Sequence, residues 1–350
     1  MKILDKNRIR NAKRAFSTRR VPICAMRTLL LPDRTPKVGD LVLARVTTLG
    51  SHKRIELPTG RKAQLFPGDE VMLAYGNRYA PDQYEAYVPD ALEPCYMVAA
   101  GGLAATATAW HDRLAGPTEI EPVGLIGDVE HEPLNLADYA IAPRPARPLP
   151  PVFAVFGTSM NAGKTTTAAS LVKGFSLAGY KVGAAKITGT GAGGDLWLMR
   201  DSGAAMALDF TDAGHPSTFG ISLKALMAIA STLTQALVSE GCSVIVLEIA
   251  DGLYQEETAA LARSTPFTGM LSGTFFAAND AMGAVSGAAH LTGNGHTMMG
   301  ITGAMTRSPL AKRETAAASP VPVLSIEELT NPGFIIHWTG LDAQRYAAAS

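Results

Sequence analysis

Val152-Phe-Ala-Val-Phe156 runs straight into Gly157-Thr-Ser-Met-Asn-Ala-Gly163-Lys164-Thr165-Thr166, and a stretch of helical character, Thr165 to Ala178, follows. An unbroken apolar run of this length reads as a strand buried on both faces. A glycine-rich turn after it lets backbone N–H groups converge on phosphate oxygens, and the N-terminus of the next helix adds positive potential. The sequence therefore predicts a phosphate cradle formed by Gly157, Thr158, Asn161, Ala162, Gly163, Lys164, Thr165 and Thr166. Lys164 is expected to reach the β- and γ-phosphates, and the Thr165 hydroxyl to ligate magnesium. Five residues separate the two glycines, one more than the commonest spacing of such loops.

Outward from this loop, short β-branched or apolar runs recur at 152–156, 181–187, 243–249, 273–278, 298–303 and 321–325. Longer helix-compatible segments such as Leu223 to Glu240 alternate with them, which predicts an α/β domain with a mostly parallel sheet covered by helices on both faces. Upstream, Pro143-Arg-Pro-Ala-Arg-Pro148-Leu-Pro150-Pro151 is too proline-rich for a helix and reads as an extended linker. Before it, Val38 to Val46 and Gly68 to Tyr75 alternate like strands, each opened by a Gly-Asp turn, and predict a smaller β-rich domain. The apolar run from Tyr96 to Leu114 has no clean period. The expected organisation is a basic arm at 1–28, a β-rich domain at 29–142, a linker at 143–151, a P-loop domain at 152–340 and a tail at 341–350.

A chain of 350 residues with 47% hydrophobic and 18% charged types can bury real cores and is not a disordered polymer. Its 31 basic and 31 acidic residues cancel, yet residues 1–20 hold eight lysines and arginines against Asp5 alone. Such an arm is either a contact for a nucleic acid or protein partner, bound in a salt-dependent way, or a plain tail. It lacks the apolar core of a secretory signal, and no stretch of about 18 apolar residues could span a bilayer, so a cytoplasmic protein with no membrane partner is expected. Cys24, Cys95 and Cys242 lie far apart without metal-ligand spacing, so reduced thiols are expected rather than a disulfide framework or a zinc site.

The loop Gly157-Thr-x-x-x-x-Gly163-Lys164-Thr165 resembles that of dethiobiotin synthetase and its relatives in the signal-recognition and MinD-like branch of P-loop proteins. In that family the second strand ends in a lysine near the phosphates, and a magnesium-binding aspartate follows after a glycine-containing loop. Val182-Gly-Ala-Ala-Lys186-Ile-Thr-Gly-Thr-Gly-Ala-Gly-Gly-Asp195 is similar. The family's third strand ends in a magnesium-binding glutamate, which Val244-Ile-Val-Leu-Glu248-Ile-Ala-Asp251-Gly252 resembles. The likeness runs from about residue 152 to 330 and implies ATP and magnesium as cofactors, with Arg307 near the base. It also implies a homodimer. Asp195 to Ala204 is similar, in addition, to molybdopterin-guanine dinucleotide accessory proteins, and the loop bears a weaker likeness to a P-loop family that includes amino-acid N-acetyltransferases.

The acidic residues also make sense on their own chemistry. Carboxylates at strand ends lie in the crevice where open α/β sheets bind ligands, and magnesium beside a triphosphate takes one or two of them. Asp195 reads as a metal ligand or a helix N-cap, and Glu248 as a metal ligand or a paired strand-end carboxylate, with Asp251 the competing ligand. Lys186 reads as a phosphate contact or a snorkelling surface lysine. The tract Gly189-Thr-Gly-Ala-Gly-Gly194 implies close backbone approach to a ligand, or a loop that closes over one. His215, in a segment rich in donors and acceptors, reads as a catalytic hydrogen-bond donor or base, or as part of a capped turn.

Two functions follow. The first is a magnesium- and ATP-dependent enzyme transferring phosphoryl to a small-molecule acid or amine, as in dethiobiotin-synthetase-like ligases, with Lys164 and Lys186 neutralising charge. The second is a nucleotide-driven switch ATPase or kinase acting on nucleic acid or a protein through the arm and β-domain. The sequence lacks the Asn-Lys-x-Asp pattern that reads guanine, which favours ATP over GTP.

Overall fold

The computed structural model describes residues 2–30 and 34–341, so most of the expected tail lies outside the described residues. The chain divides into two units. One comprises residues 142–188, 195–209 and the chain from Ile221 onward; the other comprises residues up to Ile141 together with Gly189–Gly194 and Phe210–Gly220.

The first of these is a six-stranded parallel sheet: β1 (Val152–Gly157), β2 (Val182–Lys186), β3 (Met206–Asp209), β4 (Val244–Glu248), β5 (Gly273–Ala277) and β6 (Met298–Thr302), in the order β3-β2-β4-β1-β5-β6. Every residue of β1, β4 and β5 is buried, as strands covered on both faces require. The helices include α1 (Lys164–Leu177), α2 (Gly194–Asp201), α3 (Leu223–Ser239) and α4 (Ala281–Gly293). Ser222 caps α3 by accepting from the Ala225 N–H, and Asp280 caps α4 by accepting from that of Gly283.

The expected strand at 321–325 is a correction: Pro320 and Pro322 lack the N–H that a ladder needs, and only a bridge between Val323 and Ile301 forms. The sixth strand is instead β3. Its Met-Ala-Leu-Asp sequence contains no β-branched residue and carries no strand signal of its own.

In the other unit, strands Leu41–Thr48, Glu70–Tyr75, Leu103–Trp110, Cys95–Ala99 and Thr118–Gly127 pair in that order. The last pairs again with the first, closing a five-stranded ring. Val42, Ala44, Val46, Val71, Leu73, Tyr75 and Met97 fill one buried cluster. Leu41, Leu43, Met72 and Ala74, at the intervening positions, fall in a second. The aperiodic run from Tyr96 therefore resolves into two strands around a turn.

Within the expected arm at 1–28, the described residues 2–28 do not extend freely. Leu4, Ile9, Val21 and Met26 belong to the second cluster, and Lys6–Asn11 is a helix capped by Asp5. Burying side chains of this kind contributes about 1.5–3 kcal/mol each, enough to outweigh the mutual repulsion of exposed charges. Most of the basic residues are tied down as well. Arg8 pairs with Glu70 at 2.6 Å, Lys13 with Asp69, and Arg19 with Asp212 at 2.7 Å. Arg14 donates to the carbonyls of Thr18 and Val21, and Arg20 to that of Tyr139. Cys24, Cys95 and Cys242 are free thiols, and among the described residues no helix is long and apolar enough to cross a membrane.

Candidate functional site

Parallel pairing puts the carboxyl ends of β1, β2 and β4 in one row: Glu248 lies in register with Val155 on one side and Lys186 on the other. The glycine turn leaves the end of β1 and enters α1 at Lys164. Gly163 precedes the helix with φ 96°, a left-handed conformation that admits glycine readily, and Asn161 also has a positive φ of 63°. Lys164 is 6% exposed and donates from Nζ to the Ser159 carbonyl at 2.7 Å. Burial pulls its pKa down, against the opposing pull of Glu248 and Asp251.

The Thr165 hydroxyl, in the first turn of α1, stands 3.1 Å from Oδ1 of Asp195 and 3.0 Å from Oε1 of Glu248. Lys186 pairs with Asp195 and has Oε1 of Glu248 3.9 Å away. Asp195 lies inside the first turn of α2, so it is not that helix's cap; its carboxylate faces Lys186 and Thr165. Burial works against its charge, yet Lys186 and Thr165 together hold its pKa below the ordinary value. For Lys186 too, burial opposes the charge, and Asp195 and Glu248 outweigh it and raise the pKa. Glu248, 1% exposed, is pushed up to about 7 by burial and by the neighbouring Asp195 carboxylate.

Whether these groups suit magnesium is a question of donor chemistry. Oε2 of Glu248 is buried and has no hydrogen-bond partner. Two carboxylates and a hydroxyl form an all-oxygen set of the kind a hard cation takes beside a phosphate, with water completing the octahedron. Among the described residues no group of three or more His, Cys, Asp or Glu side chains is arranged to hold a metal by itself. The set thus fits an ion that arrives with its phosphates.

A cavity of about 390 Å³ opens over these groups. Asn161, Gly163, Lys164, Thr165 and Thr166 line it, as do Lys186, Asp195, Glu248, Asp251 and Arg307. Gly157, Thr158 and Ala162 shape the turn without lining the cavity; Thr158 donates its N–H to the Ala277 carbonyl at 3.0 Å. His215 does not line it either and belongs with the unit that contains the barrel. Burial lowers its pKa.

Met160, Ala250, Gly303, Ala304 and Ile326 also line the cavity and were not anticipated. Ile326 had a legible signal, the Ser325-x-x-Glu328 capping box that opens its helix. Gly303, with φ 101°, follows β6 where the chain must turn sharply, but one glycine among 34 draws no notice.

The six-stranded parallel sheet and the strand, glycine turn and helix that present Lys164 and Thr165 define the class by its architecture: a P-loop fold. No protein-family model matches the chain, and no curated relative does. Among solved structures it is similar to the signal recognition particle 54 kDa protein of Aeropyrum pernix in complex with GDP, at 18% identity over 59% of this chain and 50% of that one, TM-score 0.38. The receptor FtsY of Elizabethkingia anophelis is similar at 15% identity over 58% and 57%, TM-score 0.34. FtsY of Thermotoga maritima is similar at 16% identity over 59% and 74%, TM-score 0.34. The alignment thus spans about half the length of the first two proteins.

Proposed function

We propose that the protein binds a magnesium–nucleoside triphosphate in this cavity, cleaves its terminal phosphoryl bond, and uses the event as a switch read by the barrel-containing unit. The observation that carries the proposal is the Thr165 hydroxyl between Asp195 and Glu248, beside an unpartnered carboxylate oxygen and the glycine turn. Thr165, Asp195 and Glu248 would hold magnesium, with Asp251 within electrostatic reach; the ion, when bound, supplies neutralisation of phosphate charge. The amides of the glycine turn cradle the phosphates. Lys164, released from the Ser159 carbonyl, and Lys186 offset the negative charge that builds during transfer. ATP is the nucleotide favoured by the sequence, with Arg307 on the cavity wall beside Ile326.

The switch is favoured over transfer to a small-molecule acid or amine by one feature. The segments that follow β2 and β3, Gly189–Gly194 and Phe210–Gly220, belong to the unit that contains the barrel. Chain segments leaving the nucleotide site are thereby built into a second body, the arrangement a nucleotide-dependent signal needs. His215, the candidate base of the ligase reading, does not line the cavity. The partner, protein or nucleic acid, would engage the barrel-containing unit.

The test is hydrolysis of ATP and of GTP by the full chain with magnesium or with EDTA, using Lys164→Ala as the blank. Small carboxylates and amines, RNA, and a second copy of the chain are added in turn, the last followed by light scattering. Magnesium-dependent turnover that vanishes in the variant supports the site. Acceleration by a small acid or amine alone would overturn the switch, and equal rates in both proteins would overturn the whole reading.

A further inference from the structure

Glu56 ends the short strand Arg54–Glu56 in the barrel-containing unit and is 2% exposed. A buried carboxylate is unfavourable unless it is hydrogen-bonded. Its Oε2 accepts the backbone N–H of Gly193 at 2.9 Å, 137 residues further along the chain. Gly193 immediately precedes the start of α2 at Gly194 and lies two residues before Asp195. The other end of the same tract is held independently: Gly189 N–H donates to the Thr218 hydroxyl at 2.8 Å, and Gly191 N–H to the Pro216 carbonyl at 2.9 Å. Four of the six residues from Gly189 to Gly194 are glycine, the residue with the most backbone freedom. Such a segment has little hold on its own end, and the Glu56 carboxylate offers a buried acceptor there.

We infer that Glu56 is a positioning residue for Asp195: by accepting the Gly193 N–H it fixes the end of the glycine tract and the start of α2, and so sets where the Asp195 carboxylate stands beside Thr165. The inference rests on the magnesium-site reading given above. It explains why a carboxylate is buried on a strand whose neighbours Lys53, Arg54, Arg61 and Lys62 are all exposed.

The experiment compares full-length wild type with Glu56→Ala, Glu56→Asp and Glu56→Gln, titrating magnesium against a fluorescent ATP analogue and following amide hydrogen exchange without nucleotide. Loss of a group that orients a metal ligand typically weakens metal binding by about 10- to 100-fold, so in Glu56→Ala the half-saturating magnesium concentration should rise at least about 10-fold. Glu56→Asp, which keeps the charge but not the reach, should behave the same way. Glu56→Gln, whose amide oxygen still accepts, should return close to wild type. Nucleotide binding without magnesium should be unchanged in all three. Amides 189–195 should exchange faster in the Ala and Asp variants while strands Leu41–Thr48 and Glu70–Tyr75 keep their protection. If Glu56→Ala does not fold, the Asp and Gln variants decide. An unchanged magnesium midpoint in a folded Ala or Asp variant, or unchanged exchange at 189–195, would overturn the inference. Absence of magnesium-dependent binding in wild type, with Lys164→Ala behaving identically, would instead bring down the nucleotide reading, and this inference with it.

Discussion

Two glycine-rich segments, 157–163 and 189–194, each follow a buried parallel strand, and they use glycine for different ends. In the first, the backbone turns left-handed at Asn161 and Gly163 around an open cavity, and the next residue is a buried lysine. In the second, the glycines let backbone meet backbone: a Cβ on Gly101 would collide with the Gly191 carbonyl oxygen, and one on Gly191 would come within 2.7 Å of that of Pro216. The tract read as a ligand contact is thus packed within its own unit. Glycine density marks a close approach without saying to what; the cation that follows the first turn, beside helix N-terminal amides, is the additional feature on which the phosphate proposal rests.

The largest expected effect tests the first loop. Lys164→Ala should lower nucleoside triphosphate turnover by about 10²- to 10³-fold, the usual consequence of losing one preorganised donor, while thermal unfolding stays at or above the wild-type midpoint because a buried ammonium is removed. A large loss of stability there would erase the contrast between the loops.

Acid should act on the barrel-containing unit. His52 is held down to about 4 from 6.5, chiefly by burial and further by the Arg78 cation, against a hydrogen bond that the ring donates to Gln83. Below 6.5 the unfolded chain takes up a proton that the folded imidazole refuses. Stability should therefore fall as pH drops from 6.5 towards 4 and level off beneath it. At about 1.4 kcal/mol per pH unit the full loss is roughly 3 kcal/mol. Urea denaturation across this range should be flatter in His52→Gln; an identical pH profile would remove His52 from the account.

Gly101→Ala tests the second loop. Overpacking at the Gly101–Gly191 approach should cost about 1–3 kcal/mol in urea denaturation. A neutral substitution would mean that the close approach is not required there. The smallest effect is expected at Arg8→Ala, whose half-exposed pair with Glu70 should be worth less than about 1 kcal/mol. A larger loss would mean that charge pairing, rather than Ile9 and its neighbours, holds residues 2–28 against the barrel.

That last comparison shows where sequence reading failed. Eight basic residues in the first twenty dominate the eye, whereas Leu4, Ile9, Val21 and Met26 are spaced too irregularly to announce a common face. Only the barrel strands they cover reveal one. The candidate site was more legible, because a strand-end carboxylate, a strand-end lysine and a Gly-Lys-Thr turn each carry a local signal. Met160, Ala304 and the role of Glu56 had none.

The sequence alone determined the parallel α/β architecture and the glycine turn between strand and helix, since unbroken apolar strands and a glycine–lysine–threonine junction depend on backbone rules acting over a few residues. Tertiary structure alone decided that the basic N-terminus is a shell of the barrel, that Met206–Asp209 is a strand, and that Glu56 meets Gly193. Those outcomes depend on contacts between residues far apart in the chain, and no local propensity encodes such pairings.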